Sequence, residues 1–159
     1  MKINIVSVGN IKEKYLKDAI LEYSKRISKF SKIEFFNVAD EPIVDNPSEK
    51  EIQTVKQKEG EKILKVLPAN SYKIALNLKG EMLDSPGLAN KISQVFAYHN
   101  SHIVFVIGGS LGLGDELLKK MDYHLCFSKM TFPHQLMQVI LLEQVYRAFK
   151  INNNETYHK

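Results

Sequence analysis

The chain has 159 residues, 44% hydrophobic and 25% charged, with a formal net charge of +4 and a pI near 9.0. This length suits one domain, residues 1–159, with a substantial core, and the mildly basic balance permits an RNA partner without requiring one. A single cysteine excludes an internal disulfide and a cysteine-based zinc site. No apolar run is long enough to span a bilayer, and the N-terminal run is too short for a signal peptide, so we expect a cytoplasmic protein.

The first part of the chain alternates predicted strands and helices. Residues 3–8 (INIVSV) and 33–38 (IEFFNV) are β-branched and aromatic runs typical of buried strands. Between them, apolar residues recur at spacings of three and four, which predicts a helix with one buried face. These positions are Leu16, Ile20, Tyr23, Ile27 and Phe30. Residues 40–47, with two prolines, are a predicted loop.

The middle of the chain repeats this alternation. Ser48 and Glu51 have the S-x-x-E spacing of a capping box and predict the start of a charged helix that Pro68 ends. Residues 72–78 (YKIALNL) are the next predicted strand, and Gly80 is expected to begin a turn.

A second helix-start signal, Ser85 as N-cap with Pro86 in the first turn, opens the following helix. The remaining predicted elements are strands at 102–107 (HIVFVI) and 122–127 (DYHLCF) and a helix from Pro133 to about Ile151. Strands that alternate with helices throughout predict an α/β fold with a mostly parallel sheet and helices on both faces.

A glycine-rich segment, GGSLGLG at 108–114, directly follows a predicted strand. Open α/β sheets bind ligands at the carboxyl ends of their strands. However, Leu117 stands where the dinucleotide pattern needs glycine, and Asp115 and Glu116 stand where a phosphate loop needs Lys and Ser or Thr. Two interpretations stay open: a tight turn into a helix, or a loop for an uncharged or cationic ligand.

The C-terminal third contains three more candidate features. Ser128 to Thr131 form either a plain connection or a loop whose backbone groups suit an adenine edge. The last helix is apolar over more than one stripe, which indicates a central core helix or a subunit interface. Polar tails such as the one that ends this chain are usually disordered. Four histidines lack convincing metal-ligand spacing, so no metal site is expected: His99, His102, His124 and His134.

Three segments together carry a specific resemblance: HIVFVIGGSLG at 102–112, FSKMTFPHQLMQVILLEQVYRAFKI at 127–151, and YHK at 157–159. They resemble the ribosomal RNA large subunit methyltransferase H group of the SPOUT methyltransferases, and the opening MKINIVSVGNIKEKYLKDAILEYSKRI is similar to the same group. The resemblance implies an α/β fold with a C-terminal trefoil knot, an obligate homodimer, and S-adenosyl-L-methionine bound in the knot. It also implies methylation of N3 of the pseudouridine at position 1915, in helix 69 of 23S rRNA, within assembled 70S ribosomes.

The family's cofactor positions fall on Leu76, Gly108, Phe127, Ser128, Lys129, Met130, Thr131 and Phe132. For the implied reaction, His158 is the candidate general base, because an imidazole ordinarily titrates near neutrality. Tyr157 is expected to stack on the target base or to donate a hydrogen bond to one of its carbonyls. Arg147 and Lys159 are expected to stabilise negative charge on the base or to bind a phosphate.

Several alternatives remain beside this interpretation. Members of the family often have glycine shortly before the terminal Tyr-His, where this chain has Asn154, and asparagine tolerates a left-handed turn better than most residues. The lysines of the first helix and Arg26 either bind phosphates or form a solvated face. Rival functions are a catalytically silent RNA- or ribosome-binding knot protein, a flavodoxin-type nucleotide-binding domain, and a SPOUT methyltransferase with another RNA target.

Overall fold

The computed structural model describes residues 1–159 as a five-stranded sheet flanked by helices. The strands are β1 (Lys2–Val8), β2 (Lys32–Val38), β3 (Tyr72–Met82), β4 (His102–Ile107) and β5 (Tyr123–Cys126). They lie in the order β2-β1-β4-β3-β5, and every neighbouring pair is parallel. The helices are α1 (Lys14–Ile27), α2 (Glu49–Val66), α3 (Ser85–Gln94) with a π-helical turn at Val95–His99, α4 (Asp115–Leu118) and α5 (His134–Asn152). The predicted α/β class with a parallel sheet is confirmed.

Each face of the sheet buries its own hydrophobic core, because successive strand residues point to opposite sides. On one face, Ile5 and Phe105 pack with residues of α1, α3 and α5. On the other face, Val6 and Val104 pack with Ile63 of α2 and with α4. Helices therefore cover both faces, as the alternating pattern predicted.

Helix α5 is a core helix of the single chain. It packs against α1 and α3, and the residues it buries are Met137, Gln138, Leu141, Leu142, Val145, Ala148 and Phe149. Its one buried polar side chain, Gln138, lies 3.5 Å from the hydroxyl of Ser7 on β1. No helix of the chain is both long enough and apolar enough to cross a membrane.

The start of α2 confirms the predicted capping box. The Ser48 hydroxyl accepts a hydrogen bond from the Glu51 N–H at 3.2 Å, and the Glu51 carboxylate accepts one from the Ser48 N–H at 2.7 Å. Two otherwise unsatisfied donors of the first helical turn are thereby paired.

The start of α3 differs from its prediction by one residue. Asp84, and not Ser85, is the N-cap, since its carboxylate accepts from the Gly87 N–H at 2.7 Å. Ser85 instead donates its hydroxyl to Gln144 of α5 at 2.7 Å. A contact between helices thus replaces the predicted local cap.

The prediction of a turn at Gly80 is wrong, because β3 continues past this residue. Leu76 and Glu81 both align with Leu125 of β5, so the residues between them form an irregular insertion in the strand. A Cβ atom on Gly80 would lie 2.6 Å from the carbonyl carbon and oxygen of His124. Glycine is needed here because two backbones pass closely, and not because the chain reverses.

Candidate active site

A cleft of about 400 Å³ lies at the carboxyl ends of β3, β4 and β5. Its walls come mainly from three segments: residues 76–79 within β3, residues 107–113 after β4, and the segment after β5 that runs to Phe132. Parallel strands end at the same edge of a sheet, so segments far apart in sequence meet there. The fold therefore provides one concave site where the three candidate segments converge.

The structure brings together seven of the eight residues predicted to hold the cofactor. Those that line the cleft are Leu76, Gly108, Phe127, Ser128, Met130, Thr131 and Phe132. Lys129, the eighth, belongs to the same loop but is exposed and does not line the cleft. The role of all eight in binding the cofactor stays a prediction.

The glycine-rich segment doubles back on itself at the mouth of the cleft. The Gly112 N–H donates to the Gly109 carbonyl at 3.0 Å, and Gly112 has a φ of 84°. A Cβ atom on Gly108 would lie 2.9 Å from the carbonyl carbon of Gly112, so a larger residue would push the turn outward. The two interpretations of this segment are compatible, because it is a tight turn leading into α4 and also a wall of the cleft.

The loop at 127–132 keeps most of its backbone donors free. Ser128 accepts two hydrogen bonds within the loop region, through its hydroxyl from the Met130 N–H at 3.0 Å and through its carbonyl from the Cys126 thiol at 3.2 Å. Five other backbone N–H groups of the loop donate to no protein atom: those of Phe127, Ser128, Lys129, Thr131 and Phe132. These donors are available to a ligand rich in hydrogen-bond acceptors.

The cleft residues that the sequence interpretation missed include Lys56, Asn77 and His134. Lys56 lies on α2, which meets the glycine-rich segment only in three dimensions, so no local pattern signals it. His134 directly follows the candidate loop and Pro133, and that position was an available signal. No group of three or more His, Cys, Asp or Glu side chains is arranged to hold a metal ion.

The C-terminal tail is anchored to the end of α5 by a helix cap. Asn154 has a left-handed φ of 54°, and its N–H donates to the Ile151 carbonyl at 3.0 Å. The Glu155 N–H donates to the Lys150 carbonyl at 2.9 Å. This pair of bonds is the Schellman motif, in which glycine or asparagine usually holds the left-handed position. Asn154 thus forms a left-handed turn at the position where the resemblance leads one to expect glycine.

Glu143 of α5 holds the tail in place. Its Oε1 atom accepts from Arg147 Nη2 at 2.7 Å and from the Tyr157 hydroxyl at 3.2 Å. The Tyr157 ring also lies 4.7 Å from the Arg147 guanidinium carbon and packs edge-on against Tyr146 at 5.0 Å. The hydrogen bond to Glu143 raises the pKa of Arg147, while burial and the Glu143 charge raise the pKa of Tyr157. Near neutral pH, Tyr157 is therefore a hydrogen-bond donor.

His158 is exposed and lies against Arg147, with 3.2 Å between Nδ1 and the guanidinium Nη1. A guanidinium group only donates hydrogen bonds, so Nδ1 is the acceptor in this contact. The lone pair that a general base needs is thus occupied by Arg147. The structure brings the three predicted catalytic residues together, with Nδ1 of His158 in contact with Arg147.

The two predicted sets of functional residues do not meet within one chain. Met137, near the start of α5, lines the cleft. Arg147 lies ten residues further along the same helix, which corresponds to about 15 Å along its axis. The tail packs at this far end of α5 through Arg147 and Glu143. The cleft and the tail are therefore two separate halves of a candidate active site.

Comparisons with known proteins show the family of the chain. A family model described as "Predicted SPOUT methyltransferase" matches residues 1–158. The chain is 55% identical over 159 residues to a protein of Ruminiclostridium cellulolyticum named ribosomal RNA large subunit methyltransferase H, with all of both chains covered. A protein of Clostridioides difficile strain 630 with the same name is 54% identical, again over the full length of both chains.

A solved structure shows the same fold at lower sequence similarity. It is that of a "probable methylase family protein" from Haemophilus influenzae, with a TM-score of 0.55 and 19% identity, and the match covers 99% of this chain and 70% of that one. The full-length family match and the close relatives confirm the resemblance found in the sequence. The chain belongs to the SPOUT methyltransferase family.

Proposed function

We propose that this protein is a cytoplasmic S-adenosyl-L-methionine-dependent methyltransferase that methylates N3 of the helix 69 pseudouridine of 23S rRNA in assembled 70S ribosomes. One observation carries the proposal: the family's cofactor positions, with a single exception, line one cleft. Relatives that are 54% and 55% identical over their full length are named as methyltransferases of large-subunit rRNA. Together these findings support the reaction class and the substrate class.

The chemistry of the cleft fits the proposed cofactor. The free N–H groups of the 127–132 loop suit the acceptor nitrogens of adenine. The glycine-rich segment lacks the Lys and the Ser or Thr of a phosphate loop, which is compatible with a nucleoside that carries no phosphate. When bound, S-adenosyl-L-methionine supplies an electrophilic methyl group on a sulfonium. Leu76, Gly108 and the 127–132 loop would hold it.

The path of the chain supports the proposed trefoil knot. β5 lies at the edge of the sheet, beyond β3, whereas α5 begins near β1: a Cβ atom on Gly9 would lie 3.4 Å from His134 Nε2. The connecting residues 127–133 must therefore cross the ends of β3 and β4, where the residues between Leu76 and Glu81 and the glycine-rich segment also lie. We propose that this connection passes through the loop that those segments form. Such threading is very rare among folds, and no sequence periodicity predicts it.

The separation of cleft and tail supports a homodimer. Because Arg147 lies about 15 Å beyond the cleft along α5, the tail of one subunit does not complete its own site. A two-fold dimer places the same patch of each chain against its partner and can bring each tail to the other subunit's cleft. We propose that the active site is completed in this way.

The arrangement of the tail suggests how the target nitrogen is activated. N3 of pseudouridine bears a hydrogen between two carbonyls and is a poor nucleophile until that proton is shared or removed. Contact of Arg147 with a carbonyl or phosphate of the RNA would release Nδ1 of His158, which could then accept the N3 proton. Tyr157 and Lys159 would donate to the negative charge left on the base. Substrate binding and base activation are thus coupled through Arg147.

The test is transfer of labelled methyl from S-adenosyl-L-methionine to 70S ribosomes, separate subunits and naked 23S rRNA, all lacking the modification. We expect label on 70S ribosomes alone, and binding that weakens as salt is raised. His158→Ala should lower kcat by about 100-fold, the lower range for removal of a general base, without changing cofactor affinity. Cofactor binding with no transfer to any substrate would instead favour the silent ribosome-binding protein.

A mixed-dimer experiment tests whether the site is shared between subunits. One subunit carries Gly108→Val, which blocks the cleft, and the other carries His158→Ala, which disables the tail. If the tail acts on the partner's cleft, a random mixture regains about a quarter of wild-type activity, because half of the dimers are mixed and each has one intact site. A site contained within one chain regains none.

A further inference from the structure

We propose that Lys56 binds the carboxylate at the methionine end of S-adenosyl-L-methionine and so distinguishes the whole cofactor from nucleosides that lack the amino acid. This inference deepens the proposed function and rests on it. It assigns a ligand group to a residue of α2 that lies outside the segments that resemble the family's cofactor motifs.

The charges of the cleft point to an anionic group in the ligand. Two charged side chains line it, Lys56 and Lys79, and neither aspartate nor glutamate does. Lys79 is exposed on the insertion in β3, whereas Lys56 is half-buried. S-adenosyl-L-methionine carries one anionic group, its carboxylate, at the end opposite adenine. Of its charged groups, which also include the sulfonium and the α-ammonium, only that carboxylate can pair with a lysine of the cleft.

Lys56 is also free to make this contact. Ion pairs in the structure use other lysines: Lys2, Lys14, Lys32, Lys62, Lys119 and Lys150. No hydrogen bond within the protein engages the Lys56 ammonium group. A ligand carboxylate could therefore pair with the Lys56 ammonium group without displacing a contact within the protein.

The position of Lys56 is fixed by close packing. A Cβ atom on Gly114 would lie 3.3 Å from both the Cβ and the carbonyl oxygen of Lys56, so α2 contacts the end of the glycine-rich segment directly. Lys56 therefore lies at the wall of the cleft that the glycine-rich segment forms, and the candidate adenine loop belongs to a different wall segment of the same cleft.

Calorimetric titration with two nucleosides tests the assignment. S-adenosyl-L-methionine and 5′-methylthioadenosine, which lacks the amino-acid part, are titrated into wild type, Lys56→Met and Lys56→Arg. Lys58→Met is the matched control, because Lys58 is two residues away on the same helix and does not line the cleft. We expect Lys56→Met to weaken S-adenosyl-L-methionine roughly tenfold, the effect of losing one charge-assisted hydrogen bond, and to leave methylthioadenosine within about twofold. Lys56→Arg should retain most of the affinity.

Other outcomes overturn the inference in distinct ways. Equal weakening of both nucleosides would mean that Lys56 only shapes the cleft. Unchanged affinity for both, with a raised KM for ribosomes, would mean that the lysine binds an RNA phosphate. A wild-type protein that binds neither nucleoside, although its thermal unfolding is cooperative, would contradict the proposed function and this inference with it.

Discussion

Glu143 is the residue on which the position of the C-terminal tail depends, and Glu143→Gln removes its charge while keeping its size. Its carboxylate binds both Arg147 and Tyr157, and the Glu143 and Arg147 side chains are only 20% and 24% exposed. A solvent-exposed pair at this helical spacing contributes about 0.3–0.5 kcal/mol, and a charge-assisted hydrogen bond about 1.5–3 kcal/mol. Because both side chains are partly buried, we expect the Glu143→Gln substitution to lower the free energy of unfolding by about 1.5 kcal/mol. For a chain of this length that corresponds to a fall in Tm of about 3–6 °C.

Three measurements check this prediction: thermal unfolding at fixed protein concentration, release of the terminal residues by carboxypeptidase, and methyl transfer. We expect a lower Tm, faster release, and kcat reduced roughly tenfold because Arg147 and Tyr157 lose their orientation. The control is Glu155→Gln. Glu155 pairs with Lys150 in the same region, but its side chain is 43% exposed, so its loss should cost less than about 1 kcal/mol. Wild-type Tm and wild-type release from the Glu143→Gln protein would refute the reasoning.

Three further changes test other parts of the structure. Gly80→Ala should destabilise the fold by about 1–3 kcal/mol in urea unfolding, because its Cβ would lie 2.6 Å from a backbone carbonyl of β5. Gly60→Ala in α2 is the control, since its Cβ would make an ordinary contact at 3.6 Å and should raise stability by up to about 1 kcal/mol. Asn154→Gly should raise Tm slightly and Asn154→Ala should lower it, because this position has a left-handed φ; equal Tm values for the two variants would contradict the cap. Burial raises the pKa of Glu59, so the folded state binds its proton more tightly than the unfolded state and wild-type stability falls as pH rises through that pKa. Glu59→Gln does not bind this proton, so its Tm should rise relative to the Tm of wild type as pH is raised from 4 to 8. A Tm difference between the two proteins that does not change with pH would contradict this prediction.

The fold class was predictable because its signals are local. Buried parallel strands appear as short β-branched runs, and each long helix shows its apolar face at spacings of three and four. Gly80 shows where such reasoning fails. Glycine after a strand usually marks a turn, but here it is required by a close approach of β5, which lies more than forty residues later. The N-cap of α3 is a second case where local reasoning fails, because Asp84 and Ser85 are both residue types that cap helices well. Ser85 instead hydrogen-bonds to the distant Gln144, and Asp84 is the N-cap.

The candidate site was predictable in part, and mainly from family resemblance. Spacing alone left the glycine-rich segment and the 127–132 loop ambiguous, because nothing local shows that both face one cleft. The place of the tail depends on Glu143, fourteen residues before Tyr157, and on a left-handed Asn154. No sequence pattern predicts the contact of Arg147 with His158 Nδ1, because this contact depends on how the tail packs against α5. In the proposed mechanism, this contact has to break before Nδ1 of His158 can accept the N3 proton.

The most direct test of the central claim is the identity of the methylated atom. Wild-type protein is incubated with labelled S-adenosyl-L-methionine and 70S ribosomes that lack the modification, and nucleosides from digested 23S rRNA are identified by mass spectrometry. We expect a single labelled product, N3-methylpseudouridine from helix 69, whose formation is strongly reduced with the His158→Ala protein. Label on a different nucleotide, or no label despite demonstrated cofactor binding, would contradict it.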